Sequence, residues 1–115
     1  MIKVAFFRQE GRITGFESEG HAGYADYGSD IVCAAVSALL ISCVNGLESV
    51  AGVEAVVRQN EEVGFLKAEL SGMPDEARRH DAEIVFEVTE KGLQSIAKQY
   101  PDFVRVISRN RRSCT

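Results

Sequence analysis

The chain predicts a single-domain α/β layered sandwich in the order ββαββαβ, with two helices on a mixed or mostly antiparallel sheet. Three observations carry this. Short β-branched and aromatic runs come in two pairs, each pair is followed by a helical pattern, and an alternating run comes last. At 115 residues the chain, 1–115, suits one domain with its own core and is too short for two.

Ile2 to Arg8 and Arg12 to Ser18 are rich in strand formers and flank Gln9-Glu10-Gly11, so they predict an antiparallel hairpin. Gly20 to Ser29 contains three glycines and no periodicity, and reads as a long loop. Ser29 or Asp30 then caps a helix running to about Ser49, with Gly52 just past its end. That helix is apolar almost all round as far as Asn45, which predicts burial on most sides, against the sheet and a further surface.

Glu54 to Gln59 and Val63 to Leu70 form a second hairpin pattern around Asn60-Glu61-Glu62. Ala82, Val85, Phe86, Thr89, Leu93, Ile96, Ala97 and Tyr100 recur at spacings of three and four, the mark of an amphipathic helix. Gly92 inside it allows a bend, and Pro101 ends it. Phe103 to Ser108 alternates as a last strand.

Hydrophobic content of 45% and charged content of 26% are those of a soluble globular protein. A net charge of −4 argues against a nucleic-acid binder with a broad basic face. The one basic cluster, Arg105, Arg109, Arg111 and Arg112, reads as a frayed, solvated terminus, with a weak contact to RNA-rich surroundings as the alternative. Met1 to Arg8 lacks a signal-peptide pattern, and the apolar stretch Ile31 to Val44 falls short of a membrane span. Three cysteines, an odd number, then imply free thiols and a reducing cytoplasm.

The chemistry concentrates between His21 and Cys33. Cys33 is the third residue after Asp30 and so lies in the first helical turn. Unpaired amides and the helix dipole there favour an anion, which predicts a lowered thiol pKa and donors for a developing oxyanion. His21 can approach from the loop as general base and then as acid to the leaving amine. Asp30 and Ser37 lie at i−3 and i+4 from Cys33, on its helical face. Asp30 is a cap, a hold on the loop or a catalytic contributor, and Ser37 is placed to hydrogen-bond beneath the thiol.

Other candidates have simpler readings. Cys43 is a small core residue and Cys114 an incidental thiol in the tail. His80 belongs to a charged, solvated helix start. Tyr24, Asp26 and Tyr27 line a substrate groove or are ordinary loop residues. His21, Asp26, Asp30 and Cys33 offer mixed metal ligands, but the tight Cys or His pairs usual for zinc are missing, so the nucleophile reading ranks first and no cofactor is expected.

The run Gly20-His21-Ala22, followed by Gly28-Ser29-Asp30-Ile31-Val32-Cys33-Ala34-Ala35-Val36-Ser37, closely resembles the ribosomal-processing cysteine protease family Prp. The resemblance extends over essentially the whole chain, including Gln99-Tyr100-Pro101 near its end. It implies a thiol protease that removes a short N-terminal extension from large-subunit ribosomal protein twenty-seven, cutting after an aromatic residue. Carried onto this sequence, it makes Cys33 the nucleophile and His21 the general base and acid, with Gly20, Asp30 and Ser37 at supporting positions. It also implies a homodimer and a mobile substrate-gating loop, here Ala22, Gly23, Tyr24, Ala25, Asp26, Tyr27, Gly28 and Ser29. No direct nucleic-acid or membrane partner is expected. The competing readings are a non-catalytic ribosome-assembly factor that binds the same ribosomal protein and a thiol-based metal or redox protein.

Overall fold

In the computed structural model, which describes residues 1–26 and 29–111, β1 (Ile2–Gln9) and β2 (Arg12–Glu19) pair as an antiparallel hairpin. Glu10 and Gly11 turn it with φ of 54° and 79°, the positive values that a two-residue type I′ turn requires. The register shifts between Phe7 and Arg8, so Thr14 is an extra residue in β2. This bulge lets Ile13 and Phe16, three residues apart, both face the core.

The remaining elements are α1 (Ile31–Ser49), β3 (Ala55–Asn60), β4 (Phe65–Leu70), α2 (Glu76–Gln99) and β5 (Val104–Asn110). They form a five-stranded sheet in the order β3-β4-β2-β1-β5. Its neighbours are antiparallel except β1 and β5, which run parallel. The predicted ββαββαβ order and mixed sheet are therefore observed.

One face of the sheet supplies Val4, Phe6, Phe16, Ala68 and Val104 to the core, and the helices pack on that face. α1 contributes Val32, Val36, Leu40, Cys43 and Leu47, and α2 contributes Ala82, Phe86 and Leu93. Burying side chains of this size stabilises the fold by about 1.5–3 kcal/mol each, before the entropy of ordering the chain is counted.

α1 corrects one expectation. It is buried along a single stripe, and Ile31, Ala34, Ala35, Ala38 and Ile41 are exposed. Its apolar circumference exceeds what a two-layer fold can cover. By length and composition it is also apolar enough to cross a membrane, contrary to the sequence reading, because no charged residue falls before Glu48. Here it lies on the sheet as a core helix.

α2 starts earlier than its apolar period suggests. Asp75 caps it by accepting the Arg78 amide at 3.0 Å, and the charged stretch from Glu76 to Asp81 forms its first turns. Gly92 does not interrupt the helix. It faces Leu39 of α1, where a side chain would crowd the Leu39 methyl group at 3.0 Å. Across the same layer Arg8 reaches from β1 to Glu90 of α2 in a bidentate pair at 2.8 and 2.9 Å.

The basic segment is not frayed as far as it is described. β5 runs to Asn110, Arg109 approaches Glu17, and Arg111 pairs with Glu69 while stacking on the Phe7 ring at 3.9 Å. Arg105 is exposed, and Arg112 lies outside the described residues.

Candidate active site

β2 ends at Glu19, and the chain leaves the sheet through Gly20, whose φ is +94°. A Cβ at Gly20 would run into the Met1 carbonyl oxygen, so both backbone sign and space demand glycine. The Met1 amino group donates to the His21 carbonyl at 2.7 Å and fixes the next residue. His21 is thereby exposed beside the turn between β3 and β4, with Nε2 at 3.3 Å from the Glu62 carbonyl oxygen.

The chain then turns toward the start of α1. Asp30 is the N-cap, with extended φ and ψ of −82° and 102°. Its Oδ1 accepts the Val32 and Cys33 amides, both at 3.0 Å. Its Oδ2 accepts the loop amides of Tyr24 at 3.0 Å and Ala25 at 3.4 Å. Burial alone would push this carboxyl up, but the backbone donors outweigh burial and hold it below its ordinary value. Asp30 is thus a helix cap and a loop clasp at once.

Cys33 is partly buried, and its Sγ accepts the Ala22 amide at 3.2 Å. That bond brings the sulfur to the residue adjoining His21. The thiol pKa nevertheless differs from the sequence expectation. Burial pushes it up and the nearby Asp30 carboxylate adds to the rise, against the lowering influence of the Ala22 amide and the Met1 ammonium. The amides of the helix N-terminus that could have held a thiolate are taken by Asp30 instead.

For the same reason the expected oxyanion donors are occupied. Val32 and Cys33 give their amides to Asp30 Oδ1, and Ala34 gives its own to the Asp30 carbonyl. Ser37 is also corrected: it is exposed on α1, and no hydrogen bond among the described residues links it to the thiol. Cys43 is buried beside Thr89, and its thiol is pushed up to about 11, as befits a core residue. Cys114 lies outside the described residues, and His80 is exposed on α2.

Tyr24 anchors the loop. Its ring meets Tyr100 and Phe103 edge-on, with centroids at 5.7 and 5.3 Å. Gly23 and Ala25 are exposed, and Ser29 donates its amide to the Asp26 carbonyl at 3.0 Å. Tyr27 and Gly28 lie outside the described residues. Among the described residues no group of three or more His, Cys, Asp or Glu side chains is placed to hold a metal ion. Two surface concavities lie elsewhere, around Gln9, Met73 and Arg79 and around Gly52 and Arg78, and neither is lined by His21 or Cys33.

Sequence reasoning missed the contribution of the β3–β4 turn. The sequence pattern runs Gly64 into a strand, whereas it has a φ of +63° and packs against Gly20 and the His21 ring. The signal was present in Asn60, a turn former, followed four residues later by glycine.

Comparison with known proteins identifies the family. The sequence profile of the family described as cysteine protease Prp matches residues 1–105. The ribosomal processing cysteine protease Prp of Bacillus subtilis is 33% identical over 107 residues, spanning 92% of this chain and 96% of that protein. A solved protein from Streptococcus mutans superposes with a TM-score of 0.84 at 34% identity, covering 96% of each chain. The essential ribosomal processing protease Prp of S. aureus, solved with a covalently linked product peptide, also gives 0.84, at 25% identity over 95% of this chain and 100% of its own. The profile match over residues 1–105, with a relative 33% identical over nearly its full length and a shared fold, places this chain in the Prp family of cysteine proteases.

Proposed function

We propose that Cys33 is the nucleophile and His21 the general base and acid of a protease that trims a ribosomal protein. The observation that carries this is the 3.2 Å hydrogen bond from Ala22 to the Cys33 sulfur, which ties the thiol to the residue next to His21. An extended substrate segment enters along the loop of residues 22–29. His21 takes the Cys33 proton, the thiolate attacks the scissile carbonyl, and the amine leaves with the proton returned by His21. Water activated by His21 then cleaves the thioester. Burial and the nearby Asp30 carboxylate favour the protonated thiol, so removal of its proton by His21 is part of the attack. The covalently linked peptide in the S. aureus relative supports a covalent route.

The names of the relatives support a ribosomal substrate. We assign it as the N-terminal extension of large-subunit ribosomal protein twenty-seven, cut after an aromatic residue, in the cytoplasm. Precursor and mature forms of that protein should be incubated with wild type and Cys33→Ala and read by intact mass. Loss of a defined N-terminal peptide with wild type alone is expected. Binding without cleavage by either would replace the protease reading with that of an assembly factor.

The chain acts as a homodimer in this reading. Ile31, Ala34, Ala38 and Ile41 recur at spacings of three and four on the exposed side of α1, an apolar stripe suited to a second copy. Sedimentation of wild type should give a dimer, and Ile41→Glu should shift it to monomer.

A further inference from the structure

His21 has a partner that no side-chain motif marks. Its Nε2 lies 3.3 Å from the main-chain oxygen of Glu62, 41 residues away in sequence. The turn that carries this oxygen is built to hold it there. Asn60 Oδ1 accepts the Glu62 amide at 3.1 Å, and the Gly64 amide donates to Glu61 at 3.2 Å, which closes the turn on itself. Gly64 at φ +63° lies against the chain at Gly20 and against the imidazole. A Cβ at Gly64 would strike the Gly20 carbonyl and come within 3.1 Å of His21 Cε1. The turn and the histidine therefore fit only because residue 64 is glycine.

We infer that the β3–β4 turn is the orienting partner of His21, with the Glu62 carbonyl accepting Nε2–H so that Nδ1 is the nitrogen that exchanges the proton with Cys33. This rests on the assignment of His21 as the base. A carbonyl oxygen only accepts, so the bond requires the proton to sit on Nε2, and in the neutral ring the lone pair is then on Nδ1. When Cys33 gives up its proton, the S–H bond breaks and an Nδ1–H bond forms. The ring becomes an imidazolium with a proton on each nitrogen. When the amine departs, Nδ1 returns that proton. Nε2–H stays on the Glu62 oxygen throughout, so the ring keeps one orientation in both charge states. A backbone carbonyl thus occupies the position that a carboxylate or amide side chain fills in other triads. Asp30, the sequence candidate for a third member, has its oxygens engaged by four backbone amides instead.

The test combines nitrogen-resolved NMR of the histidine rings with steady-state cleavage of the precursor protein. In wild type above neutral pH, His21 should carry its proton on Nε2, and that proton should exchange with water more slowly than that of exposed His80. A proton on Nδ1, or exchange as fast as at His80, overturns the inference whatever the activity. Gly64→Ala should lose the slow Nε2 proton and lower kcat at least tenfold, with KM within twofold of wild type. Gly72→Ala is the control, since Gly72 has φ +74° with nothing within 4 Å of an added Cβ. It carries the same backbone strain and should keep both the slow proton and kcat. Asn60→Ala loosens the turn without adding bulk and serves if Gly64→Ala does not fold. It should speed Nε2 exchange and lower kcat about threefold. Variants that retain wild-type kcat after losing the slow proton overturn the catalytic role of the turn. Failure of the protease assignment appears differently, as wild type that leaves the precursor uncut.

Discussion

Asp30 accepts the backbone amide of Cys33 at 3.0 Å while its negative charge helps keep the Cys33 thiol protonated. One carboxylate therefore organises the helix start and raises the pKa of the thiol beside it. Its second oxygen accepts the Tyr24 and Ala25 amides, so one side chain links the loop to the helix start.

This arrangement predicts opposite effects of one substitution on reactivity and on catalysis. Asp30→Asn keeps a capping side chain, since Asn and Asp are comparable at the N-cap. It removes the charge that helps raise the thiol pKa. The pH midpoint of Cys33 alkylation by iodoacetamide should therefore move down. Peptide cleavage should fall about fivefold or more, because the amide nitrogen of Asn cannot accept the loop amides and each lost hydrogen bond is worth about 1 kcal/mol. A parallel gain in cleavage would refute the clasp.

The same residue sets an acid limb of stability. Its folded pKa lies below the ordinary 3.8, so its contribution is present above that pH and is lost as pH falls through the folded value. Melting temperature followed from about pH 5 to about pH 2 should fall less steeply for Asp30→Asn than for wild type. Equal slopes would mean that the donors around Asp30 do not favour its charged form.

The two described free thiols should be distinguishable under native conditions. Cys33 is partly exposed, whereas Cys43 is buried with its thiol pushed up to about 11. Peptide mapping after brief alkylation should find label on Cys33 and none on Cys43. Labelling of both at similar rates would indicate that α1 opens from the sheet.

These relationships show what the sequence made legible. Apolar periods and turn residues located all seven elements to within a few residues, apart from the charged start of α2. Charges at Glu76, Arg78 and Arg79 carry no apolar rhythm, and only the Asp75 cap marks that end. His21, Cys33 and Asp30 stood out because their residue types fit a known chemistry at a short spacing. The Glu62 carbonyl did not, since every residue has one and its contact crosses 41 positions. The direction of the thiol pKa is hidden from the sequence for a related reason. Position in the first turn was readable, but the occupation of the amides by Asp30 is a three-dimensional fact.

Loop anchoring by Tyr24 should separate binding from chemistry. Tyr24→Ala removes two edge-on ring contacts, each worth about 0.5–1.5 kcal/mol. KM should rise several-fold, and amide exchange at Ala25 and Asp26 should quicken, while Tyr24→Phe stays close to wild type. If kcat alone falls, Tyr24 acts on the reacting groups and the anchoring role is wrong.

A last prediction concerns stability away from the site. Arg8 and Glu90 join β1 to α2 through a bidentate pair, and the Glu90 side chain is only 8% exposed. Arg8 also donates to Ser108 of β5, so one guanidinium links a helix and two strands. Its pKa is raised chiefly by the Glu90 hydrogen bonds, against the opposing effect of burial. Glu90→Gln leaves that cation without its counter-charge, and breaking such a pair costs about 3 kcal/mol. Urea unfolding should report a loss of that size, while kcat at temperatures well below the melting transition stays unchanged. Glu90→Gln with wild-type stability would show that solvent and Ser108 satisfy Arg8 without the carboxylate, and a fall in kcat in the still-folded protein would show that the pair helps to position the site.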